Sequence, residues 1–242
     1  MRALKSKRPV VLALVDRWRA RIYRYEDGHA SMSLELEQSR TALDPADVGM
    51  SKRASSRSGM RGETRTDYTK HRIDENATRF RHRLIEALLA EAGEAGGVAL
   101  GGAARAVRGL RKELEEKLAG RIVEIPELTV GASEAEIAAA AVEAASELTR
   151  SRQARLLEAC TQTPERGSTG WNRTYRALAA GAVDALILSP NLIESSPDDA
   201  ERLVRLALAQ GAEVEELGDE LGARLWAESD GVAARLRFRM AL

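Results

Sequence analysis

The sequence lacks the paired cysteines typical of secreted proteins and the long apolar runs typical of membrane proteins. It contains one cysteine, Cys160, in 242 residues, so no disulfide can form within the chain, which is typical of proteins from a reducing compartment. No apolar run is long enough to span a membrane, and residues 1–8 lead into an apolar segment without a signal-peptide cleavage pattern. We therefore expect a cytoplasmic protein with no membrane partner.

Residues that usually hold metals and nucleotides are also scarce. The three histidines, His29, His71 and His82, have no metal-ligand spacing with Cys160, which argues against a zinc site. The glycine-rich segment 93–102 lacks both the Gly-Lys-Ser/Thr ending of a P-loop and the fingerprint of a dinucleotide site. We interpret this segment as a turn followed by a buried strand, and we expect no metal and no other cofactor.

What the chain does contain is typical of a globular protein with an uneven charge distribution. Hydrophobic residues make up 44% and charged residues 31%, but aromatics only 4%, so small aliphatic side chains must fill the cores. Residues 1–83 carry 19 Lys and Arg against 11 Asp and Glu, whereas residues 84–242 carry 18 against 26, and the net charge is zero. We therefore expect contact with a polyanion mainly in the first half.

Periodicity in the first half predicts a three-stranded meander followed by alternating helices and strands. In the third strand, Met32, Leu34 and Leu36 alternate with polar residues and are predicted to share one face. A helical apolar stripe runs from Ile73 to Leu88. The predicted strands are residues 10–16, 19–25, 31–37, 96–101 and 121–126, with a further helix at 103–118. Short polar turns at 16–18 and 26–29 are predicted to connect the first three strands as antiparallel neighbours. This order predicts a mixed-sheet α/β domain.

A long basic loop separates the meander from the first helix. Residues 39–70 show no periodicity, and loops of this length inside a domain are usually functional or disordered. Residues 51–72 hold seven basic and two acidic side chains, which suits contact with phosphates through counterion release. The predicted RNA-binding residues, which include two on the following helix, are Lys52, Arg53, Arg57, Arg61, Arg65, Lys70, Arg72, Arg79 and Arg83.

The second half predicts a connecting helix and a small α/β sandwich. Ser133 is a good N-cap for an alanine-rich helix that runs to Cys160, and residues 165–170 read as a linker. In the last strand, Ala234, Leu236, Phe238 and Met240 are predicted to point inward. The predicted elements are helices at 171–180, 198–210 and 219–226 and strands at 185–188, 212–217 and 232–240. The expected domain limits are 1–131, 132–164 and 165–242.

Four segments resemble, in the same order, parts of a known family. They resemble the middle and C-terminal domains of the archaeo-eukaryotic class 1 release factors and their Pelota relatives, and the chain looks like a bacterial relative of this family. The segments are residues 11–25, the Leu100-Gly101-Gly102 strand end with the helix at 105–118, residues 170–188 and residues 231–240. The resemblance implies a ribonuclease H-like mixed-sheet middle domain. It also implies a following small three-layer α/β domain, like the kink-turn-binding ribosomal protein fold.

The resemblance also implies a function on the ribosome. In relatives that terminate translation, the loop before the long helix carries Gly-Gly-Gln, but residues 51–65 contain no glutamine. The expected function is that of a ribosome-associated translation factor acting in rescue, hibernation or a stress response. It would bind ribosomal RNA or tRNA without Gly-Gly-Gln-dependent peptide release. Since the chain begins at the second domain of the family, codon-specific termination is not expected.

In the family, the third domain docks a translational GTPase. The resemblance therefore implies a partner such as elongation factor Tu, bound by a face that includes Trp171, Arg173 and Arg176. The acidic excess of the second half is consistent with contact to protein rather than RNA. The alternative, which the residue types favour, is that Trp171, Tyr175 and Leu178 are core residues that stabilise the domain.

Two other classes of function stay open at this point. One is an enzyme, either a peptidyl-tRNA hydrolase or a metal-dependent RNA nuclease whose carboxylates would come from the ribonuclease H-like sheet and the helix that follows. The candidate carboxylates are Asp16, Glu35, Glu37 and Asp74 or Glu75. The other is a protein-interaction module with no role in RNA binding. We expect binding rather than catalysis and assign no catalytic residue.

Overall fold

The computed structural model describes residues 8–38, 65–163 and 165–240, except for the side chains of residues 65–72 and 219. The strands are β1 (Val10–Val15), β2 (Arg19–Glu26), β3 (His29–Glu37), β4 (Gly97–Gly102), β5 (Ile122–Ile125), β6 (Gly167–Thr169), β7 (Val183–Leu188), β8 (Glu213–Glu216) and β9 (Val232–Leu236). The helices are α1 (Arg65–Ala92), α2 (Ala104–Leu118), α3 (Glu134–Gln162), α4 (Trp171–Ala179), α5 (Pro190–Ser195), α6 (Pro197–Ala209) and α7 (Asp219–Ser229). Over the described residues, the chain divides into two compact units, 8–145 and 146–240.

The first unit is built on a mixed five-stranded sheet with the order β3-β2-β1-β4-β5. β1 is its centre: it pairs antiparallel with β2 and parallel with β4, and all six of its residues are buried. A continuous apolar run of this kind is typical of a strand covered on both faces. Helices α1 and α2 pack on one face through a cluster that includes Leu84, Leu88 and Leu114.

Two turns fix the register of the meander. After β1, the Asp16 carboxylate accepts hydrogen bonds from the backbone N–H of Trp18 at 2.6 Å and of Arg19 at 2.7 Å. Between β2 and β3, Asp27 and Gly28 both have positive φ, 54° and 87°, which is the backbone of a two-residue type I′ hairpin. Both turns are local, so the sequence pattern predicted them correctly.

Gly102 turns the chain from β4 into α2. Its φ is 116°, and a Cβ there would lie 2.0 Å from the Val15 carbonyl oxygen. The close approach lets the Ala103 N–H donate to that oxygen at 2.8 Å. Only glycine fits at this position, because the conformation disfavours other residues and the space for a side chain is already filled.

The second unit has a four-stranded sheet with the order β6-β9-β7-β8, in which β7 is antiparallel to β9 and parallel to β8. One face carries a cluster with Leu178 of α4 and Leu203 of α6. The other carries a cluster with Leu156 of α3 and Leu225 of α7. Helices therefore cover both faces, and the predicted fold class, a mixed-sheet α/β domain followed by a small three-layer α/β domain, is confirmed.

The capping prediction for the long helix is also confirmed. The Ser133 hydroxyl accepts from the Glu136 N–H at 3.4 Å, and the Glu136 carboxylate accepts from the Ser133 N–H at 2.8 Å. This reciprocal arrangement is a capping box, and it satisfies two backbone donors at the start of α3.

Several details differ from the sequence prediction. Met32 is 57% exposed and Leu34 36%. Alternation predicted one shared face for them, but the pairing shifts by one residue between Ile22 and Tyr23, so Met32 lies on the face opposite to Leu34 and Leu36. All three lie on β3, the edge strand of the sheet, where only Leu36 and Gln38 are buried near its end. Period-2 alternation identifies a strand, but it does not say how far the covering helix reaches.

The second unit brings three further corrections. Residues 167–169 of the predicted linker form β6, paired with β9, and α5 at Pro190–Ser195 was not predicted. The last strand ends at Leu236, and Phe238, predicted to point inward, is 52% exposed. Alternation continued past the strand end in the sequence, but no strand partner continues with it.

Candidate functional site

Helix α1 has an inner face that belongs to the core. Phe80, Leu84, Ile85 and Leu88 are all buried in the cluster under the sheet. Their spacing of three and four residues is that of one helical stripe. This inner face fixes the rotation of α1 about its axis and therefore decides which residues face away from the core.

The outer face of α1 carries two of the predicted RNA-binding residues. Seen along the helix, positions 79 and 83 lie on the side away from Leu84 and Leu88, and both side chains are exposed. The Arg79 Nη2 lies 3.5 Å from a carboxylate oxygen of Glu75, and the Arg79 side chain is 73% exposed. Arg83 has no partner among the side chains that the structure describes. An exposed pair such as Arg79–Glu75 contributes little free energy. The charges of Arg79 and Arg83 are therefore both available to a ligand.

The other predicted RNA-binding residues are only partly covered by the structure. Lys52, Arg53, Arg57 and Arg61 lie outside the described residues. The backbone of Arg65, Lys70 and Arg72 is described as the first part of α1, so the helix begins before residue 70, where the loop was predicted to end. Helix positions 65, 72 and 79 are seven residues apart, close to two helical turns, so they fall on one stripe of the backbone.

The arginines on the neighbouring sheet are arranged differently. Arg19 and Arg21 on β2 stand directly opposite Glu37 and Glu35 on β3. The Arg19–Glu37 pair measures 2.9 Å and the Arg21–Glu35 pair 3.0 Å between nitrogen and oxygen. The hydrogen bond that Arg21 donates to the Glu35 carboxylate also raises the pKa of the Arg21 guanidinium above its usual value. These two arginines are therefore already neutralised within the sheet.

Three of the carboxylates considered for a nuclease are occupied within the protein. Glu35 and Glu37 pair with arginines and Asp16 caps its turn, whereas Glu75 makes only the exposed contact with Arg79. Within 8–38, 65–163 and 165–240, no three His, Cys, Asp or Glu side chains come close enough together to hold a metal ion. The described part of the sheet therefore offers no two-metal centre for phosphodiester cleavage.

Cys160 is not a nucleophile in this fold. Its side chain is buried between α3 and the second sheet, in the cluster with Leu157 and Ala185. Burial raises the pKa of the thiol to about 12, although the nearby Arg235 charge acts in the opposite direction. A thiol of this kind stays protonated at neutral pH and does not attack an ester.

The predicted partner face centres on the short helix α4. Thr174, Ala177 and Leu178 are its buried residues, which leaves Arg173 and Arg176 exposed. Trp171 is half-buried and packs against the core on one flank. Positions two residues apart on a helix differ by about 200° around its axis. Trp171 and Arg173 therefore lie on nearly opposite sides of α4.

Trp171 forms an aromatic platform with Tyr175, which was predicted to be a core residue, and with Arg202, which was not predicted. Its ring stacks on that of Tyr175, with centroids 6.4 Å apart and planes 11° apart. The Arg202 guanidinium lies 4.8 Å over the Tyr175 ring, and its Nη2 donates to the Tyr175 hydroxyl at 2.6 Å. The four-residue spacing of Trp171 and Tyr175 predicts that their rings are neighbours on one helix face. No local pattern predicts the contact with Arg202, which lies 27 residues away on α6.

The described helices include none that is long and apolar enough to cross a lipid bilayer.

Solved structures provide a comparison for this fold. A structural model of ribosome-bound archaeal Pelota and ABCE1 matches 99% of this chain with a TM-score of 0.57 and 16% sequence identity. Dom34 of S. cerevisiae, described as a translation termination-like factor involved in RNA quality control pathways and interacting with Hbs1, matches 98% with a TM-score of 0.55 and 12% identity. The present chain spans 64% of the length of each of these proteins. A search of curated proteins gave no significant match.

A family model decides the relationship at the level of sequence. The model for bacterial archaeo-eukaryotic release factor family 10 matches residues 1–146, more than half of the 242-residue chain. The match includes the first sheet, α1 and α2 and the beginning of α3. The chain therefore belongs to bacterial archaeo-eukaryotic release factor family 10.

Proposed function

We propose that the protein is a ribosome-associated translation factor that binds ribosomal RNA or tRNA through the basic segment 51–72 and the outer face of α1. The observation that carries the proposal is the exposure of Arg79 and Arg83 on the face of α1 opposite its core stripe. Membership of a release-factor family and the fold shared with ribosome-bound Pelota support it.

The physical basis of binding is charge. Residues 51–72 contribute seven basic side chains and α1 adds two more, which together follow the chain from the loop into the helix. Arginines bind phosphate by bidentate hydrogen bonds, and each contact releases condensed counterions from the RNA. Binding of this kind tolerates different sequences and depends strongly on salt.

We further propose a role in rescue, hibernation or a stress response, without Gly-Gly-Gln-dependent peptide release. The sequence contains no Gly-Gly-Gln, and Cys160 offers no substitute nucleophile. A translational GTPase such as elongation factor Tu is the proposed protein partner, bound at the surface around α4. The exposed Arg173 and Arg176 and the Trp171–Tyr175 platform support this assignment, since aromatic and arginine side chains are enriched at interfaces.

Co-sedimentation with ribosomes tests the proposal. We expect the full chain to pellet with ribosomes at about 50 mM salt and to dissociate in large part at about 200 mM, as binding through several phosphates requires. Failure to pellet at both salt concentrations would contradict the proposal.

Hydrolysis assays separate this function from an enzyme. We expect no release of peptide from ribosomes loaded with peptidyl-tRNA and no cleavage of bare RNA, with or without magnesium. Magnesium-dependent cleavage would assign the protein to the nucleases, and release of peptide would assign it to the hydrolases.

A loop variant separates RNA binding from a purely protein-binding role. Replacing Arg53, Arg57, Arg61 and Arg65 by alanine should weaken ribosome binding and make its salt dependence shallower, by about 0.7–0.9 in the log–log slope for each lost contact. The matched control replaces Arg205 and Arg224, exposed arginines that are paired with Glu201 and Glu228 on their own helices. Equal effects of the two variants would favour an interaction module.

A further inference from the structure

A basic pocket lies in the second unit, beside the C-terminal end of α3. Its volume is about 410 Å³, within the range of small-molecule clefts. Three of its lining residues are arginines, Arg166, Arg235 and Arg237, and one is a carboxylate, Asp184. The pocket is therefore positive, although residues 84–242 as a whole are acidic.

The fold holds the three arginines together through the backbone. Arg235 lies near the end of β9, Arg237 is the first residue after the strand, and both line the pocket. The Leu236 N–H donates to the Arg166 carbonyl at 2.8 Å, and the Arg237 N–H donates to the Ala182 carbonyl at 2.8 Å. The backbone at each position is thus fixed before any ligand arrives.

Few of the guanidinium donors are used within the protein. Arg235 donates Nε to Oδ2 of Asp184 at 2.8 Å, and its Nη2 lies 2.6 Å from the same oxygen. Arg237 donates Nη2 to the Gln210 carbonyl at 2.6 Å. The Arg166 guanidinium has no partner among the described residues. Since each guanidinium has five N–H donors, most of the donors at this pocket stay available.

The negative charges near the pocket do not cancel the positive charge of its three arginines. The end of α3 contributes the partial negative charge of a helix C-terminus, about half an elementary charge. Asp184 contributes one full negative charge against three guanidiniums. The balance stays positive, which suits an anion with several acceptor oxygens.

We propose that this pocket binds a phosphate group carried by a ligand of about nucleotide size, with Arg166 and Arg237 contacting the phosphate and Asp184 competing with it for Arg235. Planar guanidiniums match the oxygens of a phosphate, and the cavity is larger than a single inorganic ion needs. The phosphate can come from a free nucleotide or from the end of an RNA chain. The inference does not depend on the proposed function, because these residues are separate from the basic segment and α1.

Calorimetry on the full chain at about 50 mM salt tests the proposal, with 5′-AMP and 5′-phosphorylated tetrauridylate as probes. We expect Arg166→Gln to weaken binding about tenfold, as the loss of a charged hydrogen bond predicts. Asp184→Asn should tighten binding about threefold, because it frees Arg235 and removes a negative charge. A residue with only a structural role would not produce this gain.

The controls and the two probes separate the outcomes. The double variant Arg205→Ala/Arg224→Ala should bind both probes as the wild type does. Equal affinity for AMP and the tetranucleotide identifies a free nucleotide as the source, and tighter binding of the tetranucleotide identifies an RNA end. No binding of either probe by the wild type, or unchanged binding by Arg166→Gln, would overturn the proposal.

Discussion

The β2–β3 hairpin and the outer face of α1 are two basic regions of the same unit, and they use their arginines in different ways. On the hairpin, Arg19 and Arg21 each face a glutamate across the strands at 2.9–3.0 Å. On α1, Arg79 has only an exposed glutamate 3.5 Å away, and Arg83 has no partner among the described side chains. The number of arginines therefore does not measure the charge available to a ligand.

The difference follows from local geometry. Opposite residues of an antiparallel pair have Cβ atoms about 5 Å apart, so an arginine facing a glutamate forms a pair almost inevitably. On a helix, a pair needs a carboxylate three or four residues away. Arg79 finds one in Glu75, and Arg81 pairs with Glu113 of α2 at 2.8 Å, but Arg83 pairs with no carboxylate among the described side chains.

The largest expected effect is on stability, and it should differ between the inner and the outer face of α1. Leu84→Ala should lower the free energy of unfolding by about 3 kcal/mol, because the side chain is 1% exposed and its loss leaves a cavity. Arg83→Ala, one residue earlier, should change it by less than about 0.5 kcal/mol. Urea denaturation measures both changes. Similar losses for the two variants would show that Arg83 is part of the scaffold.

A second prediction concerns a carboxylate held by a helix terminus rather than by an arginine. Ser133→Ala should cost about 1 kcal/mol, since it removes the N-cap of α3. The Ser133 N–H and hydroxyl lower the pKa of Glu136 below its usual value of 4.5. The stabilisation linked to the ionised Glu136 carboxylate is therefore present above pH 4.5. It is lost as the pH falls through the lower pKa that Glu136 has in the folded state.

Thermal unfolding between pH 3 and pH 7 measures this effect. The difference between wild type and Ser133→Ala should narrow at the acidic end of the range. A difference that is constant with pH would mean that the Ser133 hydroxyl does not contribute to the lowered pKa of Glu136. Ser151→Ala, at a half-buried serine inside α3 rather than at its cap, is the control.

A smaller effect is expected when the hairpin arginines are released. The double variant Glu35→Gln/Glu37→Gln removes the partners of Arg19 and Arg21 and should tighten ribosome binding about threefold at low salt. Pelleting at graded salt concentrations measures the gain. Glu228→Gln, which frees Arg224 on α7, is the matched control in the second unit. An equal gain from the control would mean that net charge alone controls binding.

The sequence predicted local features well and long-range ones poorly. The Asp27-Gly28 turn, the Ser133 cap and the apolar stripe of α1 each depend on residues within a few positions of one another. The three-residue strand β6 is too short to show a period, and its identity comes only from pairing with β9, more than 60 residues away. The exposure of Met32 and Phe238 likewise depends on what covers them, which no local pattern contains.

The two candidate sites also differ in whether local sequence could predict them. Arg79 and Arg83 could be predicted because their position relative to the core stripe follows from helical periodicity. The pocket of Arg166, Arg235 and Arg237 could not, because its members come from segments that meet only in the folded sheet. The domain limits at residues 131 and 164 stay predictions, which limited proteolysis can test.

The salt dependence of ribosome binding by Arg79→Ala/Arg83→Ala shows whether the outer face of α1 contacts phosphates. We expect weaker binding and a log–log salt slope that is shallower by about 1.4–1.8, because two phosphate contacts are lost, with unchanged thermal stability. The Arg205→Ala/Arg224→Ala variant should keep the wild-type slope. A wild-type slope for the α1 variant would contradict the claim that the outer face of α1 binds RNA.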